Sequence, residues 1–229
     1  MKDRIELDRV VLIGRTFDEY CRFFQLNDSQ LRSQRILDIG AGVSSFCAES
    51  ALLGYDVTAA DPIYELPLET LSSKSEVDLA YLLQQVPAAA HKYNWTFYRS
   101  VDELAGYRAT ARDRFLIDYA AHHERYITAA LPTTGFHDSE FDVTLASHFL
   151  FLYDDLVDYE FHKRSLVELC RITRREIRVY PLTNMSGIKS SFVEQLMRDP
   201  NCSSLAFTFQ KSDFEFFKNA NELLLIQKR

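Results

Sequence analysis

"ILDIGAGVSSF", residues 36–46, joins a short apolar run to a loop holding Gly40 and Gly42 and then to residues of helical character. A strand that ends in such a loop and turns at once into a helix lets the backbone approach a nucleotide-like ligand closely. Working outward, "RILDIGAG" reads as the first strand, "SSFCAESALLG" as a helix closing at Gly54, and "YDVTAADP" as the second strand. The three form a βαβ unit, which implies a parallel sheet with right-handed crossovers. Asp38 stands two residues before Gly40, and Asp61 closes the second strand.

Before this unit, "RTFDEYCRFFQL" carries Thr16 and Glu19 at capping-box spacing, with Phe17, Tyr20, Cys21 and Phe24 on one helical face. After it, "EVDLAYLLQQVPAAAHKY" and "DELAGYRATARDRFLIDYAAHHERY" are periodic as helices, the second introduced by Ser100 and Glu103. Residues 63–125 therefore read as a helical insertion, and 1–33 as an N-terminal helical cap, within one domain spanning 1–229. "YITAALP", "FDVTLASHFLFLY" and "EIRVYPL" are the next strands, with a helix through "LVDYEFHKRSLVELCRI" capped by Asp154 or Asp155. A last helix is expected near Ser191 and Glu194, which stand at capping-box spacing with Ser191 as the cap. "LAFTFQ", "FEFF" and "ELLLIQ" follow as strands, the last two joined as a hairpin by "KNAN".

The totals fit one α/β domain: 47% hydrophobic residues, with 17 Phe and 12 Tyr, supply ample apolar surface to bury. The net charge of −7 and the absence of a Lys/Arg block argue against nucleic acid as a partner, because phosphate neutralisation dominates that kind of binding. Cys21, Cys47, Cys170 and Cys202 show neither a C-x-x-C pair nor zinc spacing, so they read as buried free thiols of a cytoplasmic protein. The charged first ten residues do not read as a signal peptide, and none is expected. "VTLASHFLFLY" is too short to span a membrane, so no membrane is expected.

A dinucleotide loop wants G-x-G-x-x-G, and here Ser45 stands at the third glycine position. A carboxylate at Asp38 also weighs against a pyrophosphate, since two like charges at ~4 Å repel by about 4 kcal/mol at an effective dielectric of 20. A cationic ligand without phosphate reverses that sign.

"LDIGAG" followed by Asp61 resembles the motifs of class I S-adenosylmethionine-dependent methyltransferases. "ALPTTGFHDSEFDVTLASHFLF", "RREIRVYPL" and "NELLLIQKR" are similar to that family's fourth, fifth and seventh strand regions. The likeness covers about 34–62 and 126–229 and implies a Rossmann-like seven-stranded, mostly parallel sheet with an antiparallel last strand. It also implies S-adenosylmethionine as cofactor and methyl transfer to an acceptor. Carried over by position, Asp38, Gly40, Ala41 and Gly42 would surround the methionine part, Asp61 and Pro62 the ribose, and Ile63 and Leu131 the two sides of the adenine. Ser147 would approach the methyl group. One departure stands out: Thr128, Ala129 and Ala130 occupy the place where many relatives carry an adenine-binding acid.

His148 and Tyr153 are the catalytic candidates. His148 would emerge at the end of the fourth strand, where it either serves as a base or packs as a core histidine. Tyr153 has packing as its alternative. Arg15 would reach the cofactor carboxylate if the first helix folds over the site. His122 and His123 with Glu124 lack a metal-binding spacing, so no metal is expected. The insertion's aromatics read as core or as a substrate wall, and the acceptor as a small molecule, since no N-P-P-Y or D-P-P-Y tetrapeptide occurs. Two rivals are a non-catalytic cofactor- or partner-binding protein on the same fold and an NAD-dependent oxidoreductase.

Overall fold

Ile36 and Leu37 point to opposite sides of the same strand, and each finds its own core. That period-two alternation decides the layering, because a strand with apolar residues on both faces must be covered on both. In the computed structural model, which describes residues 10–229, the strands are β1 (Arg35–Ile39), β2 (Asp56–Ala60), β3 (Tyr126–Ile127), β4 (Phe141–Ser147), β5 (Thr173–Tyr180), β6 (Leu205–Lys211) and β7 (Glu222–Lys228). They form one sheet in the order β3-β2-β1-β4-β5-β7-β6. β1 to β5 run parallel, while β7 lies antiparallel between β5 and β6. This is the expected Rossmann-like fold. Residues 1–9 of the expected N-terminal cap lie outside the described residues.

Helices α1 (Phe17–Phe24), α2 (Asp28–Leu31), α3 (Phe46–Leu52), α4 (Leu68–Gln85) and α5 (Val101–Ala121) precede β3, and α6 (Tyr159–Ile172) and α7 (Ser191–Arg198) follow β4. α1, α3, α4 and α5 contribute to the core on the Ile36 side, and α6 and α7 to that on the Leu37 side. Phe23 of α1 is fully buried and stacks on Tyr180 at 4.8 Å. Burying a Phe side chain contributes about 1.5–3 kcal/mol, which helps seat α1 across the C-terminal end of the sheet.

Thr16 caps α1 as expected, with both halves of its capping box formed. The insertion between β2 and β3 is helical throughout its regular elements, but α4 starts earlier than the sequence suggested and stops at Gln85, two residues before Pro87. Proline's missing N–H and the restriction it places on the preceding residue account for that stop. Three expectations are corrected. α6 is capped by Asp158, not by Asp154 or Asp155, because the Asp158 carboxylate accepts from the Phe161 amide at 2.8 Å. α7 is capped by Ser190, with Ser191 as its first helical residue. "FEFF" is not a strand: β6 pairs along its full length with β7, and the connection 212–221 lies over the sheet's end, where Phe217 bridges to Tyr93 of the insertion.

A segment ahead of α1 crosses the glycine loop at very close range. A Cβ on Gly14 would sit 2.3 Å from the Val43 carbonyl oxygen. Gly14→Ala is therefore expected to push this segment off the loop and to lower the free energy of unfolding in urea by about 1–3 kcal/mol.

Candidate active site

The sheet order reverses between β1 and β4, and the space beyond the C-terminal ends of strands at such a switch point is where open α/β sheets bind ligands. A cavity of about 440 Å³ lies there, within the range of pockets that hold cofactor-sized molecules. Gly40, Ala41 and Gly42 form its floor after β1, with Asp61, Pro62 and Ile63 after β2 and Ser147 and His148 after β4. Leu131 and Tyr153 complete the sides. Arg15 and residues 10–13 cross above, together with Lys74, Asp78 and Leu82 of α4.

Asp38 is the expected site residue that the cavity wall lacks. Period two places it on the Ile36 face of β1, where it is fully buried beneath Tyr20 of α1. The Tyr20 hydroxyl donates to Asp38 Oδ1 at 3.1 Å, and Tyr20 itself lines the cavity. Tyr20 thus stands between Asp38 and the cavity. Its Oδ2 is buried without a hydrogen-bond partner. Burial pushes its pKa up to about 8, assisted by the charge of Asp61 and opposed by the Tyr20 hydrogen bond.

A carboxyl group that holds its proton more tightly when folded stabilises the fold below its unfolded pKa, and that stability is lost as pH rises toward the folded value. Asp38→Asn removes this loss. Relative to wild type, the ligand-free variant is expected to gain roughly 4 kcal/mol between pH 4 and pH 7, with no further gain above about pH 8. Urea unfolding across that pH range measures it, and parallel curves for the two proteins would refute the assignment.

Asp61 couples the two loops. Its Oδ2 accepts from the Gly42 amide at 2.9 Å and its Oδ1 from the Ile63 amide at 3.0 Å. Gly40 and Gly42 both have positive φ, +69° and +57°, which a glycine adopts without the cost a Cβ imposes. A Cβ at Gly40 would also press on Phe149 at 3.3 Å, whereas one at Gly42 would meet nothing within 4 Å.

The loop's amides are already engaged within the chain. Gly40 and Ala41 donate to the Ala60 carbonyl at 2.8 and 3.3 Å, Ser44 to Ala41 and Ser45 to Arg15. Phe46, the first residue of α3, donates to the Ser44 hydroxyl at 3.1 Å. A pyrophosphate site works through loop and helix-terminal amides pointing at the ligand. Here those named amides point elsewhere.

Arg15 stands half-buried in the cavity wall. Its Nη1 donates to the carbonyls of Ile13 and Gly14 at 2.8 and 3.1 Å. Burial and the nearby Arg108 lower its pKa to about 10, so it stays cationic at neutral pH. Among the described residues it has no carboxylate partner, which leaves Nε and Nη2 for an anionic group in the cavity.

His148 is half-buried with φ +53°, a conformation uncommon outside glycine and held here by its amide donating to the Tyr180 carbonyl at 2.7 Å. Its Nδ1 pairs with the Ser147 hydroxyl at 2.9 Å, and its ring packs on Phe23 and Tyr180. Burial, together with Arg15 and Arg108, depresses its pKa well below 6.5, so the imidazole is neutral at pH 7. Tyr153 is buried, and burial raises its pKa, so it stays a neutral phenol.

The sequence reading missed Tyr20, Asp78 and residues 10–13 as wall residues. Tyr20 shares one helical face with Phe17, Cys21 and Phe24, and no local signal separates a tyrosine that fills a core from one that borders a cavity. Asp78 accepts from the Leu12 amide at 2.8 Å, tying α4 to the crossing segment. The His122–Glu124 group lies on an exposed helix end, with His123 Nε2 against the Tyr119 hydroxyl at 3.1 Å. No helix among the described residues is long and apolar enough to cross a membrane.

No family model matches the chain. Among solved structures, magnesium protoporphyrin IX methyltransferase from Synechocystis PCC 6803 with bound S-adenosylhomocysteine has a TM-score of 0.46 and 11% identity, covering 88% of this chain and 77% of that one. A TehB-like SAM-dependent methyltransferase from Corynebacterium glutamicum has the same TM-score at 13% identity, covering 86% and 81%. The uncharacterized protein MJ0045 of Methanocaldococcus jannaschii is 38% identical over 225 residues, which is 98% of this chain and 99% of that protein. With near-complete coverage at that identity, and with the seven-stranded sheet and antiparallel last strand that the resemblance implied, the chain belongs to the family of MJ0045, on the class I methyltransferase fold.

Proposed function

We propose that the chain is an S-adenosylmethionine-dependent methyltransferase acting on a small-molecule acceptor, not on nucleic acid or a membrane. The observation that carries this reading is a cavity bordered by a strand-to-helix loop whose Gly40, Ala41, Gly42, Ser44, Ser45 and Phe46 amides are engaged within the chain, with the Asp61 carboxyl in its wall and Asp38 behind Tyr20. A wall with a carboxyl group and no free amide at those six positions disfavours a pyrophosphate and suits a ligand with hydroxyl and positive groups.

The residues present fit the cofactor. Tyr20, held by its hydrogen bond to Asp38, would border the positive methionine end beside Gly40, Ala41 and Gly42, where a cationic ligand would favour the ionised form of Asp38, while Arg15 would take the ligand's carboxylate. Asp61, with Pro62, would hold the ribose. Ile63 and Leu131 would enclose the adenine, without the acid that many relatives provide. When bound, the cofactor supplies a methyl group on a positively charged sulfonium, whose sulfur leaves as a neutral sulfide. Ser147 fixes the His148 ring beside the site, and His148 Nε2 would accept the proton that the acceptor releases. A weakly basic imidazole suffices, since an oxygen gaining a methyl group becomes strongly acidic as the bond forms. Tyr153 would border the acceptor side as a neutral phenol.

Calorimetric titration of the full chain with S-adenosylmethionine, S-adenosylhomocysteine and NAD tests the reading. The two sulfur ligands are expected to bind and NAD to give no measurable heat. Binding of NAD alone, or of none of the three, would overturn it. Binding without methyl transfer across a broad acceptor panel would favour a non-catalytic cofactor-binding protein.

A further inference from the structure

Beside the main cavity lies a second chamber of about 130 Å³. Arg15, Leu82, His148, Leu152 and Met185 stand in the walls of both, so these residues form the partition between them. The chamber's other walls come from parts of the chain far apart in sequence: the end of β5, the helical insertion, and the 212–221 connection between β6 and β7. Tyr93, Tyr98, Tyr180, Phe214, Phe216 and Phe217 give part of the lining aromatic rings. Tyr93 and Phe216 lie parallel with ring centroids 4.4 Å apart, and Phe217 meets Tyr93 edge-on at 5.5 Å.

The polar groups at the back of this chamber are occupied. Arg108 and the Tyr98 hydroxyl both bind the Glu19 carboxylate, and the Tyr180 hydroxyl donates to the Ala220 carbonyl at 2.7 Å. The Arg108 charge is thereby balanced by Glu19. With Arg15 serving the cofactor carboxylate, the chamber offers a ligand no net charge. An apolar cavity of about 150 Å³ holds one benzene-sized molecule, so a single ring matches this volume. At the partition, His148 Nε2 has no hydrogen-bond partner among the described residues. A hydroxyl satisfies that nitrogen in either tautomer, donating to its lone pair or accepting from its N–H, whereas an aromatic amine accepts poorly.

We propose that this chamber is the methyl-acceptor subsite and that it takes an uncharged single-ring aromatic compound bearing a hydroxyl group, with the ring among Tyr93, Phe216 and Phe217 and the hydroxyl turned to His148. The assignment rests on the methyltransferase reading above. It extends that reading by naming the acceptor's class and where it sits.

Trp95, the only tryptophan of the chain, packs on Phe216 at 5.2 Å and on Tyr93 at 5.8 Å, so its emission reports on the chamber. The full chain, saturated with S-adenosylhomocysteine, is titrated with phenol and with benzoate while Trp95 fluorescence is followed; 2-naphthol is titrated by calorimetry. Phenol is expected to produce a saturable change and to bind at least tenfold more tightly than benzoate or 2-naphthol. Ala220→Met, which fills the chamber, is expected to abolish the phenol response while leaving the dissociation constant for S-adenosylhomocysteine within twofold of wild type. Phe217→Ala, which enlarges the chamber, is expected to admit 2-naphthol, and it decides the matter should the methionine variant fail to fold. A protein that binds S-adenosylhomocysteine but shows no saturable response to phenol, or binds benzoate as well as phenol, overturns the acceptor assignment alone. Absence of S-adenosylhomocysteine binding overturns the underlying reading and the assignment with it.

Discussion

Asp61→Ala is expected to weaken S-adenosylhomocysteine binding about a hundredfold, a loss of ~3 kcal/mol. The Asp61 carboxylate is buried and accepts from two backbone amides, Gly42 on one loop and Ile63 on the next. Each hydrogen bond to a charged group contributes about 1.5–3 kcal/mol, and deleting the shared acceptor leaves both donors without their partner. Gly42, at φ +57°, would then keep only the Tyr64 hydroxyl, which donates to its carbonyl at 2.8 Å, to hold that conformation. The floor would relax, and the group proposed to hold the ribose would be gone as well. Asp61→Asn keeps one acceptor oxygen and is expected to fall between wild type and alanine. Calorimetry with the full chain reads both variants, and hydrogen exchange at the Gly42 amide reports the loop directly. An alanine variant that binds within threefold of wild type would remove Asp61 from the site.

Arg108→Met is expected to cost about 3–5 kcal/mol of folding free energy, lowering the melting temperature by roughly 10 °C for a domain of this size. Glu19 and Arg108 are both almost fully buried, at 0% and 3% exposure, and they meet at 2.5 Å. The same Glu19 carboxylate accepts from the Thr16 amide at 2.8 Å, and the same guanidinium donates to the Gly14 carbonyl at 2.7 Å. The Arg108 charge holds the Glu19 pKa below the usual carboxylate value despite the opposing effect of burial. Removing the cation strands a buried anion, so the penalty is desolvation without compensation. The double variant Glu19→Gln with Arg108→Met removes both charges and is expected to recover part of the loss; a double-mutant cycle in urea measures the coupling. Additive effects of the two single substitutions would show that the pair is not energetically linked.

This pair also explains how the helical insertion is anchored. Arg108 belongs to α5 and Glu19 to α1, so one buried contact ties the insertion to the N-terminal segment that carries Arg15. Arg108 carries no local signal in the sequence. Glu19 was legible as half of a capping box, and that local role is present, but its partner lies 89 positions away and no spacing rule connects them.

The limits elsewhere are of the same kind. The caps of α6 and α7 were misplaced by several residues and by one, because a run such as "YDDLVDY" holds three acids and only the path of the preceding loop selects Asp158. "FEFF" has strand-like composition, yet its aromatics serve the insertion and the second chamber while β7 takes β6 as its partner. Asp38 was legible as a carboxylate next to the glycine loop. Its burial under Tyr20, which keeps it out of the cavity wall, was not.

What the sequence by itself determined is what short-range periodicity and backbone sterics dictate: the βαβ unit, the two glycines at positive φ, the positions of Asp38 and Asp61, and a helical segment between the second and third strands. What only the tertiary structure decided is which distant side chains meet. The Tyr20–Asp38 hydrogen bond, the Glu19–Arg108 pair, and the two chambers divided at Arg15 and His148 arise where elements far apart in the chain pack together. Such contacts are selected by the shape and burial of the assembled core, and a local pattern carries no record of them.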